Sequence, residues 1–154
     1  MSDYTVKVVH REAVKAVGLK TRTSMAKAAD DCPRLWQDDF GPRMPEVASF
    51  PDCSYGISVM VEDDIFDYWA AMPLRPGDPI PPNMTAIDLP DGQYAEVYLK
   101  SLNDLICAYQ HLFSAWLPDS GYDLGNAPSY ELYPADHLET GCLALYMPVQ
   151  AKAT

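Results

Sequence analysis

Basic residues are scarce in this chain of 154: 11 Lys and Arg stand against 22 Asp and Glu, for a net charge of −11. A nucleic-acid surface needs clustered Lys and Arg to neutralise phosphates, so direct nucleic-acid binding is not expected. Cationic ligands or basic protein surfaces are the natural counterparts of such a charge, although acidity also serves solubility by itself. No apolar run approaches the roughly 20 residues of a membrane span, and Met1-Ser2-Asp3-Tyr4 leads into a strand-like segment without a signal-peptide core. The expectation is a cytoplasmic protein with no membrane partner. Cys32, Cys53, Cys107 and Cys142 lie far apart without paired spacing, which fits reduced, mostly buried thiols better than a zinc site or disulfides. His10, His111 and His137 likewise have no metal-ligand spacing, so neither a metal nor another cofactor is expected. Also missing are Gly-x-Ser-x-Gly, a Cys–His pair with evident spacing and a Gly-rich phosphate loop, which argues against ordinary nucleophile and nucleotide chemistry.

What the chain does have is an ordinary globular composition, 48% hydrophobic against 21% charged, in a length suited to one domain over residues 1–154. Residues 5–21 mix Val with basic residues and suggest a strand, a bend and a second strand. Ser24 suits an N-cap for residues 25–31, and Cys32-Pro33 starts a second helical piece that carries Leu35, Trp36 and Phe40 toward a core, ended by Gly41-Pro42. Residues 55–61 and 65–71 read as strands joined by Glu62-Asp63-Asp64, a solvated hairpin tip and not a calcium loop, whose other ligands are missing.

Five prolines between Pro73 and Pro82 make a connection between two halves. Beyond it, residues 84–89 and 93–99 flank Pro90-Asp91-Gly92, where Asp-Gly signals a hairpin turn. Ser101 caps a helix with Leu102, Leu105, Ile106, Tyr109, Leu112, Phe113 and Trp116 at helical spacing. Two short aromatic runs follow, residues 127–134 with Glu131 in the middle and residues 143–149, read as neighbouring antiparallel strands. The halves repeat an order of strand, helix, strand, strand, over about residues 4–71 and 84–149. Two such units predict an α+β fold, one antiparallel sheet with both helices on one face and a pocket at the seam.

Side chains alternate along a strand, so Ser129, Glu131 and Tyr133 share one face and Tyr130 and Leu132 the other. If the Glu131 face looks inward, a carboxylate is buried among aromatics and requires a partner. A delocalised cation between rings would gain roughly 0.5 to 2 kcal/mol per contact, with the carboxylate as counter-charge. The alternative is that Glu131 faces solvent or hydrogen-bonds a tyrosine, with the rings as plain core.

These residues resemble the GyrI-like small-molecule-binding family, also met as the effector-binding domain of AraC-type and MerR-type transcription regulators. Residues 116–122 resemble its turn after the second helix, residues 128–133 its Glu-bearing strand and residues 144–149 its closing strand; Phe66-Asp67-Tyr68 and Asp91-Gly92-Gln93-Tyr94 match weaker signatures. The resemblance implies a duplicated fold around an aromatic pocket for lipophilic, often cationic compounds. It places Glu131 as the pocket carboxylate and Tyr68, Tyr133, Tyr146 and Trp116 in its walls, with Trp36 a further wall candidate. Trp69-Ala70-Ala71 stands where the family often has Gly and would narrow the cavity. No helix-turn-helix precedes the domain, so the expectation is a stand-alone member.

Three functions stay open at this point: a binder that sequesters or senses a drug or metabolite, a hydrolase of reactive cyclopropane-type aromatic compounds with Glu131 as general base, and an inhibitor of DNA gyrase. Gyrase or a regulator as protein partner, and a homodimer, stay open with them.

Overall fold

The computed structural model describes residues 4–152, so Met1, Ser2 and Asp3, where the segment read for a signal peptide begins, lie outside it. Among the described residues the strands are β1 (Lys7–Arg11), β2 (Val14–Ser24), β3 (Ser54–Glu62), β4 (Ile65–Pro73), β5 (Thr85–Leu89), β6 (Gly92–Leu99), β7 (Tyr122–Leu124), β8 (Ser129–Tyr133) and β9 (Leu143–Ala151). They form one antiparallel sheet in the order β1-β6-β9-β8-β3-β4-β2-β5, with β7 paired to the end of β9. Helix α1 (Ala28–Arg34) runs on into a π-helical turn, Leu35–Phe40; α2 (Leu105–His111) does the same over Leu112–Trp116, then α3 (Leu117–Asp119). A short α4 (His137–Thr140) joins β8 to β9. None of the described helices is long and apolar enough to cross a membrane.

The units β2-α1-β3-β4 and β6-α2-β8-β9 are topological equivalents, and β1 and β5 are their exchanged leading strands. With that pairing the strand order reads the same from either end. The α+β duplication expected from element order is therefore present, with both helices on one face. Chain length shows that the sheet is also curled. Six strand spacings at about 4.8 Å would separate β5 from β6 by about 29 Å if flat, whereas Leu89 and Gly92, three residues apart, span at most about 11 Å.

The predicted hairpin at Asp91-Gly92 is corrected by this topology. β5 pairs with β2, from Val14 opposite Leu89 to Gly18 opposite Thr85, while β6 lies between β1 and β9. Gly92, at φ +153°, takes a conformation other residues avoid and redirects the chain across the curl instead of folding it back. The Tyr94 hydroxyl donates to the Pro90 carbonyl at 2.8 Å and holds the bend. The hairpin through Glu62, Asp63 and Asp64 forms as read, with Asp63 at φ 37°. Ser24 ends β2 and does not cap a helix; α1 begins at Ala28 and contains Pro33. Ser101 does cap, accepting from the Asn103 backbone N–H at 3.2 Å.

Three apolar clusters organise the core. On the helix face, Val17, Leu35, Phe40, Phe66, Ala70 and Met72 pack in the first unit. In the second unit Val97, Ala108, Leu112, Leu143, Leu145 and Met147 do the same. The curl encloses the third on the other face, where Tyr55, Ile57, Trp69, Tyr94, Tyr130 and Tyr146 meet Ala16 and Leu89 from the outer strands. The cysteines are free as expected, but they are not mostly buried: Cys107 and Cys142 are exposed, and Cys32 and Cys53 partly so. Cys107 lies in α2 and Cys142 in the connection between α4 and β9.

Candidate functional site

Strands β3 and β8 meet at the centre of the sheet, between the two helix-face clusters, and Glu131 lies there opposite Gly56. Strand alternation points the side chain to the helix face, with Ser129 and Tyr133, while its neighbours Tyr130 and Leu132 join the enclosed cluster. Gly56 makes room for it. A Cβ at that position would collide with Tyr68 Oη and stand 2.7 Å from Glu131 Oε1.

Glu131 is 2% exposed, yet it belongs to no ion pair among the described residues. Two phenols hold it: Tyr109 donates to Oε2 at 2.6 Å and Tyr133 to Oε1 at 3.2 Å. Across from them the Trp36 indole N–H donates to Tyr68 Oη at 2.9 Å, and the Trp36 ring meets the Tyr133 ring edge-on at 5.7 Å. Trp36, Tyr109 and Tyr133 are partly exposed, so these rings stand between a buried carboxylate and solvent.

Desolvation dominates the electrostatics. It pushes the Glu131 carboxyl from 4.5 up to about 7, against the opposing effect of the Tyr109 and Tyr133 hydrogen bonds. The same burial, followed by the Glu131 charge, raises Tyr68, Tyr109 and Tyr133 well above the ordinary phenol value. Cys32 is raised to about 12 by burial and then by Glu131, which places this thiol within the carboxylate's field. Near neutrality the site therefore holds one carboxyl poised between its two forms and phenols that stay protonated as donors. Such a group can receive a cation or accept a proton.

Of the residues singled out from sequence, Glu131, Tyr68, Tyr133 and Trp36 are brought together. Trp116 is set in the second unit's cluster, stacked on Tyr122 at 6.2 Å. Tyr146 lies on the opposite face: Leu145 pairs with Glu131 and Tyr146 with Tyr130, so strand parity carries its ring into the enclosed cluster. Periodicity makes Tyr109 only a core position of the helix, although a hydroxyl on an otherwise apolar helix face is a signal that it seeks a polar partner. Gly56 and Cys32 carried no recognisable signal in sequence.

A surface cleft of about 450 Å³ is lined by Leu19, Lys20, Leu35, Asp38, Asp39, Pro42 and Arg43, none of which touches Glu131 through a described hydrogen bond. At the carboxylate itself the rings are closed around it.

The family model for the GyrI-like small molecule binding domain matches residues 4–150. The transcriptional regulator BrlR of Pseudomonas aeruginosa is 28% identical over 130 residues, an alignment that takes in 82% of this chain and 47% of BrlR. The chain thus spans about half the length of that curated relative. Among solved structures, SAV2435 bound to tetraphenylphosphonium superposes with a TM-score of 0.73 at 15% identity, covering 97% of this chain and 94% of that one. EcmrR in a DNA complex gives 0.68 at 16% identity, over 97% of this chain and 58% of that one. At these identities the structural likenesses bear on the fold.

Proposed function

The chain belongs to the GyrI-like small molecule binding domain family, and from that premise we propose that it binds a lipophilic, cationic aromatic compound against Glu131. One observation carries this reading: a carboxylate 2% exposed whose described partners are two phenols and no cation. Burying a charge without a counter-charge is costly, and a ligand cation supplies it. Trp36, Tyr68, Tyr109 and Tyr133 offer ring faces and edges around the carboxylate, each face worth roughly 0.5 to 2 kcal/mol to a desolvated cation. The ligand carried by SAV2435, tetraphenylphosphonium, supports this chemical class. Binding displaces or swings the rings that cover Glu131, and its use is sequestration or sensing of the compound.

A titration with tetraphenylphosphonium, followed by tryptophan fluorescence, tests the reading. Saturable quenching in the wild type that weakens by about tenfold or more in Glu131→Gln, roughly 1.4 kcal/mol, is the expected result. Equal affinity in both proteins overturns it. The poised Glu131 carboxyl favours one second reading, hydrolysis of a reactive aromatic substrate with Glu131 as general base, since a base near pH 7 is well matched to proton abstraction. Recovery of a cyclopropane-bearing aromatic probe in ring-opened form, with wild type and not with Glu131→Gln, would establish that reading over simple binding.

A further inference from the structure

On the sheet face away from Glu131, Arg11 ends β1 among tyrosines. Its Nε donates to Tyr130 Oη at 3.0 Å and its Nη1 lies 3.5 Å from Tyr146 Oη. The guanidinium carbon sits 4.2 Å from the Tyr146 ring centre and 5.8 Å from that of Tyr130. The rings are locked together: Tyr130 packs against Tyr55, Tyr94 and Tyr146 with centroids 5.8, 5.5 and 5.2 Å away.

Donors outnumber acceptors in this cluster. Tyr94 gives its proton to the Pro90 carbonyl and Tyr146 gives its own to Glu96 Oε2 at 2.9 Å. Tyr130 is 1% exposed and accepts from Arg11, but its own hydroxyl proton has no acceptor among the described residues. Arg11, partly exposed, makes no ion pair among the described residues, and Glu96 is linked to it only through the Tyr146 hydroxyl. Its Nε and Nη1 meet phenol oxygens, and Nη2 has no acceptor among the described residues.

A partly desolvated guanidinium beside an unused phenol proton matches an oxyanion, and the planar fork matches a carboxylate. We infer that Arg11, Tyr130 and Tyr146 form a second binding site, independent of Glu131, for a small carboxylate-bearing molecule. The protein's net charge of −11 repels anions in general, so saturable anion binding here reports a local site and not the overall field.

The test is a titration of the full chain with benzoate and, separately, inorganic phosphate, following the Arg11 Nε–Hε resonance by NMR and affinity by calorimetry. Expected is a saturable benzoate response that weakens by about tenfold in Arg11→Lys, which keeps the charge and loses the fork. Tyr130→Phe keeps the ring and removes the hydroxyl, so it weakens binding several-fold even if the Arg11 variant fails to fold. Glu131→Gln titrates as wild type. No saturable response, unchanged affinity in Tyr130→Phe, or a response to phosphate without one to benzoate overturns the inference.

Discussion

Replacing Glu131 with Gln keeps the shape of the side chain and removes its titration. In the wild type the folded carboxyl titrates at about 7 against an ordinary value of 4.5. The folded state therefore holds a proton more tightly than the unfolded chain between those values, and stability falls as pH rises through that window. The favourable contribution is fully present below 4.5 and gone above about 7. Between pH 5 and pH 8 this single group removes roughly 2 to 3 kcal/mol from the wild type, at about 1.36 kcal/mol per decade of proton affinity. Other groups titrate in both proteins and cancel in the difference.

Urea unfolding followed by tryptophan fluorescence at the two pH values measures it. The variant is expected within about 1 kcal/mol of wild type at pH 5 and more stable by about 2 to 3 kcal/mol at pH 8. A difference between the two proteins that does not change with pH would refute the claim that Glu131 is buried without a counter-charge.

Two further substitutions probe the surroundings. Tyr109→Phe removes the 2.6 Å donor to Glu131 Oε2; it should cost about 1.5 to 3 kcal/mol at pH 8, where the carboxylate is charged, and about 1 at pH 5. Urea unfolding at both values checks this, and an equal loss at both would mean that the bond does not favour the charged form. Gly56→Ala forces a methyl against Tyr68 Oη and Glu131 Oε1. A loss of about 1 to 3 kcal/mol in thermal unfolding, with weaker tetraphenylphosphonium binding, is expected, and unchanged stability would show that the site has slack.

The parts of the site legible in sequence were those set by strand parity within one element. Glu131 and Tyr133 fall on one face of β8 whatever their neighbours do, and Tyr130 falls on the other. Tyr146 needed the register between β8 and β9 as well, and a single step of register decides which face it takes. Trp36 first reads as core from its spacing with Leu35 and Phe40, and it does pack on Phe40; its role beside Tyr68 follows from the indole N–H, which periodicity ignores. The unit order was legible because it depends on element type alone, whereas the Asp91-Gly92 hairpin failed because turn chemistry is local and the partners of β5 and β6 are chosen by the curl of the whole sheet. Gly56 shows the same limit, since its purpose is set by a strand 75 residues away in sequence, at Glu131.

Proton release on ligand binding tests most directly whether Glu131 is the counter-charge of a cation site. Calorimetry of tetraphenylphosphonium binding at pH 6, in buffers of different ionisation enthalpy, counts the protons exchanged. A carboxyl that titrates at about 7 is mostly protonated at that pH, so the wild type should release the larger part of a proton per ligand, falling toward zero by pH 9. Binding at pH 6 with no proton released, or the same release from Glu131→Gln, would contradict the account.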